Sequence, residues 1–405
     1  ASGSASLVEI ARTVRTLLEQ KKIPPLQRTL HFLWVPEHFG TVAWLTKHPE
    51  VSARAIVAFN LDMVGEDLFK TNSRLNISRT PDSLPSFLND LVENVAGQVE
   101  AAGLVSPNGS RHLFHWRMTP YSAGSDHDMF NDGNVRVPAV QFGHWPDWTH
   151  HTNEDSVDKA DSTTLRRVGV LAAASAVFLA TADDDAVLRL AGHTASAAFA
   201  RIFGHQAEMF PAARALFDKE GMPDKKALEE FGKQTQHSKQ VALSLGIYTE
   251  QAQRAVKSLE PLLSEKGAAN LSVMSSMFEM IRTTMAAARK GAGPSEAPPA
   301  LRRVPAKKYI GPIADGPSSL WFRQALGSHY AWWHEQELRL PHDDLIPRFA
   351  LILYEAGNFA DGKRSLAEIE DAVTAEYGEL PAGLIEGIFD RLAVIGLVEW
   401  VEPSK

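Results

Sequence analysis

The 405-residue chain contains no cysteine. That excludes disulfides, thiolate-held zinc and thiol nucleophiles, and it leaves the cellular compartment unassigned. No run approaches ~18 consecutive apolar residues, so no membrane span and no membrane partner are expected. An excess of positive charge is also lacking. Against 41 Lys and Arg stand 49 Asp and Glu, a formal net of −8, which argues against an extended nucleic-acid surface. The first residues, ASGSASLVEI, carry no basic block followed by an apolar one and do not read as a signal peptide. The reading leans to the cytoplasm on that ground. There is no internal repeat. What is present is an ordinary globular mixture, 44% hydrophobic and 22% charged, long enough for two or three domains.

Apolar residues at helical spacing (Leu7, Ile10, Ala11, Val14, Leu17, Leu18) predict a helix from Ser6 to Gln20, stopped by Pro24-Pro25. RTLHFLWV (Arg28 to Val35), RAIVAFNLDM (Arg54 to Met63), RLNIS (Arg74 to Ser78) and VPAVQFG (Val137 to Gly143) read as strands. Pro81 to Ala102 reads as a helix, and Asp161-Ser162 caps another that runs to about Thr181. Strands alternating with helices predict an α/β layer structure, with a mixed, largely parallel sheet covered on both faces. Residues 1–184 form this unit. Residues 185–290 carry no convincing strand and predict three or four helices. Residues 291–300, GAGPSEAPPA, form a linker, and residues 301–405 form a last module. Its order of helix, helix, short strand from Leu397 resembles a small winged-helix unit. With 11 Lys and Arg against 16 Asp and Glu, this module is too acidic for phosphate contacts. Packing onto the rest of the chain or self-association into a homo-oligomer is the expectation. Trp321, Tyr330, Trp332 and Trp333 either anchor it to another domain or fill its own core.

The chemistry-bearing residues gather at strand ends. In an open α/β sheet, ligands sit beyond the carboxyl ends of the strands. Glu37 and His38 follow the first strand in PEHFG. Asp62 ends the second, in NLDMVGE, where an unpartnered buried carboxylate would cost several kcal/mol. SDHDMF (Ser125 to Phe130) precedes the next strand, and GHWPDWTHHTNEDSVDKAD follows it from Gly143. Four segments thus bring acids and imidazoles to one sheet edge, which suits a metal site.

LDMVG, SDHDMF, HHTNEDSVDKAD before a helix, the acid–histidine–glycine run at Glu37, and SGSA near the start together resemble the zinc aminopeptidase family with a co-catalytic metal pair. Its other branches are the glutamate carboxypeptidases and glutaminyl cyclases. The resemblance covers about Ala1 to Thr181 and implies a three-layer zinc-exopeptidase fold. It implies a peptidase acting on peptide substrates with two zinc ions, a donor set that manganese or cobalt also fits. Glu37 falls on the general base. Asp62 falls on a ligand of one zinc, and His151 on a ligand of the other, with His150 as its rival. His38 falls where most members carry a glutamate ligand, a change that removes one negative charge. Asp126 falls on a supporting position. Phe142, Trp145 and Trp148 either line a substrate pocket or pack the core.

The resemblance also implies a further histidine ligand and a metal-bridging aspartate upstream of Ala1, with the first strands of the sheet. An N-terminally incomplete catalytic unit, completed by a missing segment of the same protein, is therefore expected. The alternative is a metal-deficient relative that binds peptides or serves assembly without catalysis.

Overall fold

The computed structural model describes residues 1–209, 235–290, 298–313, 320–340 and 347–401. Four strands, β1 (Ala58–Leu61), β2 (Arg74–Ser78), β3 (Trp116–Thr119) and β4 (Ala139–Trp145), form the central sheet in the order β1-β4-β2-β3. β1 is parallel to β4 and β2 is parallel to β3, while β2 and β4 are antiparallel. The sheet is mixed, with two of its three pairings parallel. The helices around it are α1 (Ser2–Glu19), α2 (Phe39–Lys47), α3 (Pro49–Ser52), α4 (Leu68–Thr71), α5 (Leu88–Ala101), α6 (His127–Phe130) and α7 (Ser162–Thr181).

Alternation along a strand puts every second side chain on one face. Leu75 and Ile77 of β2 and Val140 and Phe142 of β4 bury into one cluster with Ile10 and Val14 of α1, Leu88 and Val92 of α5, and Val168 and Leu171 of α7. Each fully buried aliphatic or aromatic side chain there contributes about 1.5–3 kcal/mol. By length and composition α7 would suffice to cross a membrane, but it packs against α1 and α5 as a core helix. Its start follows the predicted cap. Asp161 accepts from Thr164 N at 2.9 Å and from Ser110 N at 2.7 Å. Burial pushes the Asp161 carboxyl up, but hydrogen bonds from Ser110 and Thr164 outweigh it and hold it below its ordinary value.

Two predicted elements differ. Arg28 to Val35 is extended but forms no ladder. Strand identity needs a neighbour with free backbone groups, and among the described residues none lies beside it. The segment is held instead by Gln27 N donating to the Ala180 carbonyl at 2.7 Å and by Arg28, whose guanidinium donates to the carbonyls of Leu179, Ala182 and Leu262. The helix expected from Pro81 starts at Leu88. Pro85 lacks the N–H a helix interior needs.

After α7 come α8 (Asp184–Met209) and the helices Thr235–Lys257 and Glu265–Lys290. Val187, Leu190, Val256, Leu259 and Phe278 pack with Phe87 and Leu91, so this helical region shares a core with the α/β region. The part of the helical stretch between 210 and 234, and 291–297 of the predicted linker, lie outside the described residues.

The C-terminal module pairs β5 (Val304–Lys307) with β6 (Val398–Val401) antiparallel and packs helices Arg348–Phe359, Leu366–Tyr377 and Leu384–Val394 over its own core. Trp333 is fully buried there against Phe322 and Phe349, and Trp332 and Tyr330 pack on the same cluster. Trp333, Trp332 and Tyr330 therefore fill the module's core, while Trp321 stands 55% exposed outside it. Ser365 and Glu368 cap the second helix reciprocally.

The module is docked on the α/β region through polar groups. Lys307 Nζ pairs with the Asp132 carboxylate, both buried. Asn358 accepts from Gly133 N at 2.9 Å, and Tyr354 Oη donates to the Asp128 carbonyl at 2.6 Å. Ser83 N donates to the Glu355 carboxyl at 3.2 Å. Burial, and then Asp82 nearby, pushes the Glu355 carboxyl up to about 8. Burial, with Glu355 and Asp82, also raises Glu376 beside it. A carboxyl whose folded pKa is raised binds its proton more tightly when folded. Its contribution is complete below the unfolded value and is lost as pH rises through the folded one. For Glu355, stability should fall between about pH 5 and 8 by roughly 1.4 kcal/mol per pH unit. Denaturant midpoints across that window for wild type and Glu355→Gln test this. The variant is expected to show a shallower slope, and parallel profiles would count against it.

Candidate active site

Because β1 and β4 are parallel, both carboxyl ends reach the same edge of the sheet. Asp62 follows β1 directly, and its N–H donates to the Phe142 carbonyl at 3.1 Å. Met63 then turns the chain with φ +57°, and the Met63 carbonyl accepts from His144 N at 2.8 Å. The N-terminus of α1 lies against this turn. A Cβ at Gly3 would come within 1.8 Å of the Leu61 carbonyl oxygen, so only glycine fits. Ser2 Oγ accepts from Val64 N at 3.0 Å.

The Asp62 carboxylate accepts from Ser125 Oγ at 3.0 Å, and Ser125 Oγ accepts from Asn60 Nδ2 at 2.8 Å. The next residue, Asp126, reaches the other way. Its Oδ1 accepts from His38 N at 2.8 Å and from Thr41 Oγ1 at 2.7 Å. Ser125-Asp126 therefore ties the end of β1 to the Glu37–His38 turn. That turn is tight. Phe39 N donates to the Glu37 carbonyl at 2.6 Å across His38, whose φ is 56° and ψ −66°. This is a γ-turn of the strained hand. A Cβ at Gly40 would meet Pro36 Cδ at 2.6 Å, which explains the glycine that follows at once. The turn leaves the Glu37 carboxylate 57% exposed at the start of α2, while His38 Nε2 is buried, 3.9 Å from Glu37 Oε1, with no hydrogen-bond partner among the described residues.

Beyond β4 the chain folds back through Asp147, which accepts from Thr149 N and Oγ1, both at 2.7 Å. His150 and His151 stack at 3.7 Å between ring centroids, and Trp145 meets the His150 ring edge-on at 5.3 Å. His151 is exposed, with φ +57°. Of six non-glycine residues at positive φ among the described residues, three (His38, Met63, His151) adjoin this edge. Backbone strain of that kind persists where the surroundings over-determine it, and it clusters at functional sites.

Residues 1–176 match the model of peptidase family M28. No curated protein and no solved structure matches the chain. The family is one of peptidases that generally use zinc. The match ends within α7 and covers the sheet, the Glu37 turn, Asp62, Ser125-Asp126 and the His150–His151 loop; the helical region and the C-terminal module lie outside it.

Within the M28-like region, the residues predicted for the site are distributed as follows. Asp62 is hydrogen-bonded to Ser125 and His38 N to Asp126, and the Ser125–Asp126 peptide joins the two bonds; Glu37 adjoins them through the turn. Among the described residues no hydrogen bond or ion pair joins His151 to that network. Trp148 stands 72% exposed, with its backbone N–H donating to the Thr71 carbonyl at 3.1 Å. Trp145 is half-buried. Phe142 corrects the expectation of a pocket wall. It is 0% exposed and stacked on Phe59, because its parity on β4 points it into the core. His144 and Glu66 were not singled out by sequence. His144 Nδ1 lies 2.8 Å from the Met63 carbonyl oxygen and 3.1 Å from Glu66 Oε2, and so braces the turn after Asp62 from behind. The only signal for them was an acid and an imidazole on segments already suspected.

As a metal site the residues fit in donor type but not in number. Imidazole and carboxylate suit zinc, and the buried His38 Nε2 has no hydrogen-bond partner among the described residues. Yet among the described residues no group of three His, Asp or Glu side chains is placed to hold an ion.

Proposed function

We propose that the M28-like region is a zinc-dependent peptidase of the aminopeptidase type, with the carboxylate of Glu37 as its proton carrier. The observation that carries this reading is the Glu37 turn. An exposed carboxylate sits on a strained turn, and Asp126-Ser125 ties that turn to Asp62 inside the stretch that matches the peptidase family. The resemblance assigns metal to His38, Asp62 and His151, with His150 as the alternative to the last, though among the described residues they are not gathered into a group of three. When bound, zinc lowers the pKa of a water and polarises a scissile carbonyl. The chain's own part is to place Glu37 for proton transfer to the departing amine, with Asp126 fixing the turn and Ser125 orienting the Asp62 carboxylate. The exposed Trp148 and Phe39, with Trp145, offer apolar surface to a peptide side chain. In this reading the C-terminal module is a winged-helix-like unit that packs on the chain and does not engage DNA.

The test joins two readouts on purified protein: zinc per chain, and hydrolysis of peptides with free and with blocked amino termini. Zinc is expected to bind at stoichiometric levels. Free amino termini should be preferred, and a chelator should abolish turnover until zinc is returned. A protein that takes up no zinc, or whose peptidase activity survives chelation, would sink the proposal.

A further inference from the structure

At the amino end of β4, away from the candidate active site, a cavity of about 640 Å³ opens between the α/β region, the helix Thr235–Lys257 and the C-terminal module. Five cationic side chains line it, Arg136, Arg254, Lys307, Lys363 and Arg364, against one acid, Asp361. The charges are only partly matched. Lys307 is paired with Asp132. Arg364 donates to Asp361 at 2.5 Å and lies 3.9 Å from Glu250. Arg254 donates to the Ser83 carbonyl at 2.9 Å, a neutral partner. Among the described residues, Arg136 and Lys363 pair with no carboxylate.

We propose that this cavity binds a small, multiply charged phosphate compound, held by Arg136, Arg254, Lys363 and Arg364 across the junction of the α/β region and the module. The physical ground is the excess of cations in a confined space. Burial, then the like charges of Arg364 and Arg136, push the Arg254 guanidinium down to about 10 even against the opposing pull of Glu250 and Asp361. Gathering cations in this way costs free energy that a bound anion recovers. Guanidinium forks match phosphate oxygens two at a time, and three arginines from three separate segments favour an anion that offers several oxygens at once. The volume exceeds that of one phosphate group, which favours a diphosphate or a phosphate ester. The three segments meet only where the module is docked, so the ligand would bind the docked form alone and stabilise it.

Inorganic pyrophosphate is the probe, with citrate as a tricarboxylate comparison, measured by calorimetry and by thermal shift at low salt. Wild-type protein is expected to bind pyrophosphate more tightly than citrate and to melt higher with it. Arg136→Gln/Lys363→Gln removes two exposed cations without touching the core. It should melt like wild type in the absence of ligand and bind pyrophosphate roughly tenfold more weakly or worse. Lys308→Gln, an exposed lysine paired with Glu399 outside the cavity, should bind as wild type does. Three results would each overturn the proposal: no pyrophosphate binding at millimolar concentration, equal binding by the double variant, or tighter binding of citrate.

Discussion

Glu37→Gln is expected to lower peptidase turnover by ~10²–10⁴-fold, the usual worth of a positioned acid–base group, while zinc content and melting behaviour stay close to wild type. The amide keeps the size of the side chain and its place on the turn but cannot take a proton. Since the side chain is 57% exposed, its replacement leaves no cavity and no buried charge, and the cost to folding should lie within about 0.5 kcal/mol. Measuring kcat, zinc stoichiometry and thermal midpoint on one preparation separates the roles. If metal and activity fall together, Glu37 is a ligand or a structural acid. If activity is unchanged, the proton carrier lies elsewhere.

Replacing Asp132 with alanine should destabilise the protein by about 3–5 kcal/mol, the range for removing one partner of a buried ion pair. Asp132 is 0% exposed, and its carboxylate accepts from Lys307 Nζ and from Gly311 N. Burial already pushes the Lys307 ammonium down, and Asp132 is what holds it up. Without Asp132 that ammonium must lose its proton or reach water, and either route weakens the contact between β5 and the α/β region. Lys307→Met/Asp132→Asn should regain part of the loss, since neither charge is then left alone. Urea unfolding followed by tryptophan fluorescence gives the measurement. An Asp132→Ala midpoint within about 1 kcal/mol of wild type would mean that the pair is solvated.

Much of the fold could be read from local pattern, because the pattern and its structural cause coincide. RLNIS became β2 without change of bounds, and the Asp161 cap became the start of α7. The helices and the strand near the C-terminus lie in the expected order. The misses share a cause that is not local. Arg28 to Val35 has the composition of a strand, but a strand exists only with a partner. Trp116–Thr119 is too short and too polar to announce itself, and it is a strand because β2 lies beside it. Phe142 sits next to the candidate loop in sequence and faces away from it in space, since a β-strand turns every second side chain to the other face. That the Glu37–His38 turn and Asp62 lie toward one edge of the sheet was legible. How they are joined was not. The Ser125 and Asp126 bridge crosses more than sixty residues of chain to reach Asp62 and more than eighty to reach His38.

Ser125-Asp126 belongs to a short stretch that is gripped at both ends. One end holds the Glu37 turn and the Asp62 carboxylate. A few residues on, the Asp128 carbonyl is held by Tyr354, Asp132 by Lys307, and Gly133 by Asn358. The module and the candidate active site thus pull on one short stretch, Ser125 to Gly133, as two hands on one short rod. Cleaving the module away would release the far grip and leave the hydrogen bonds of Asp126 to His38 N and Thr41 to hold the Glu37 turn alone.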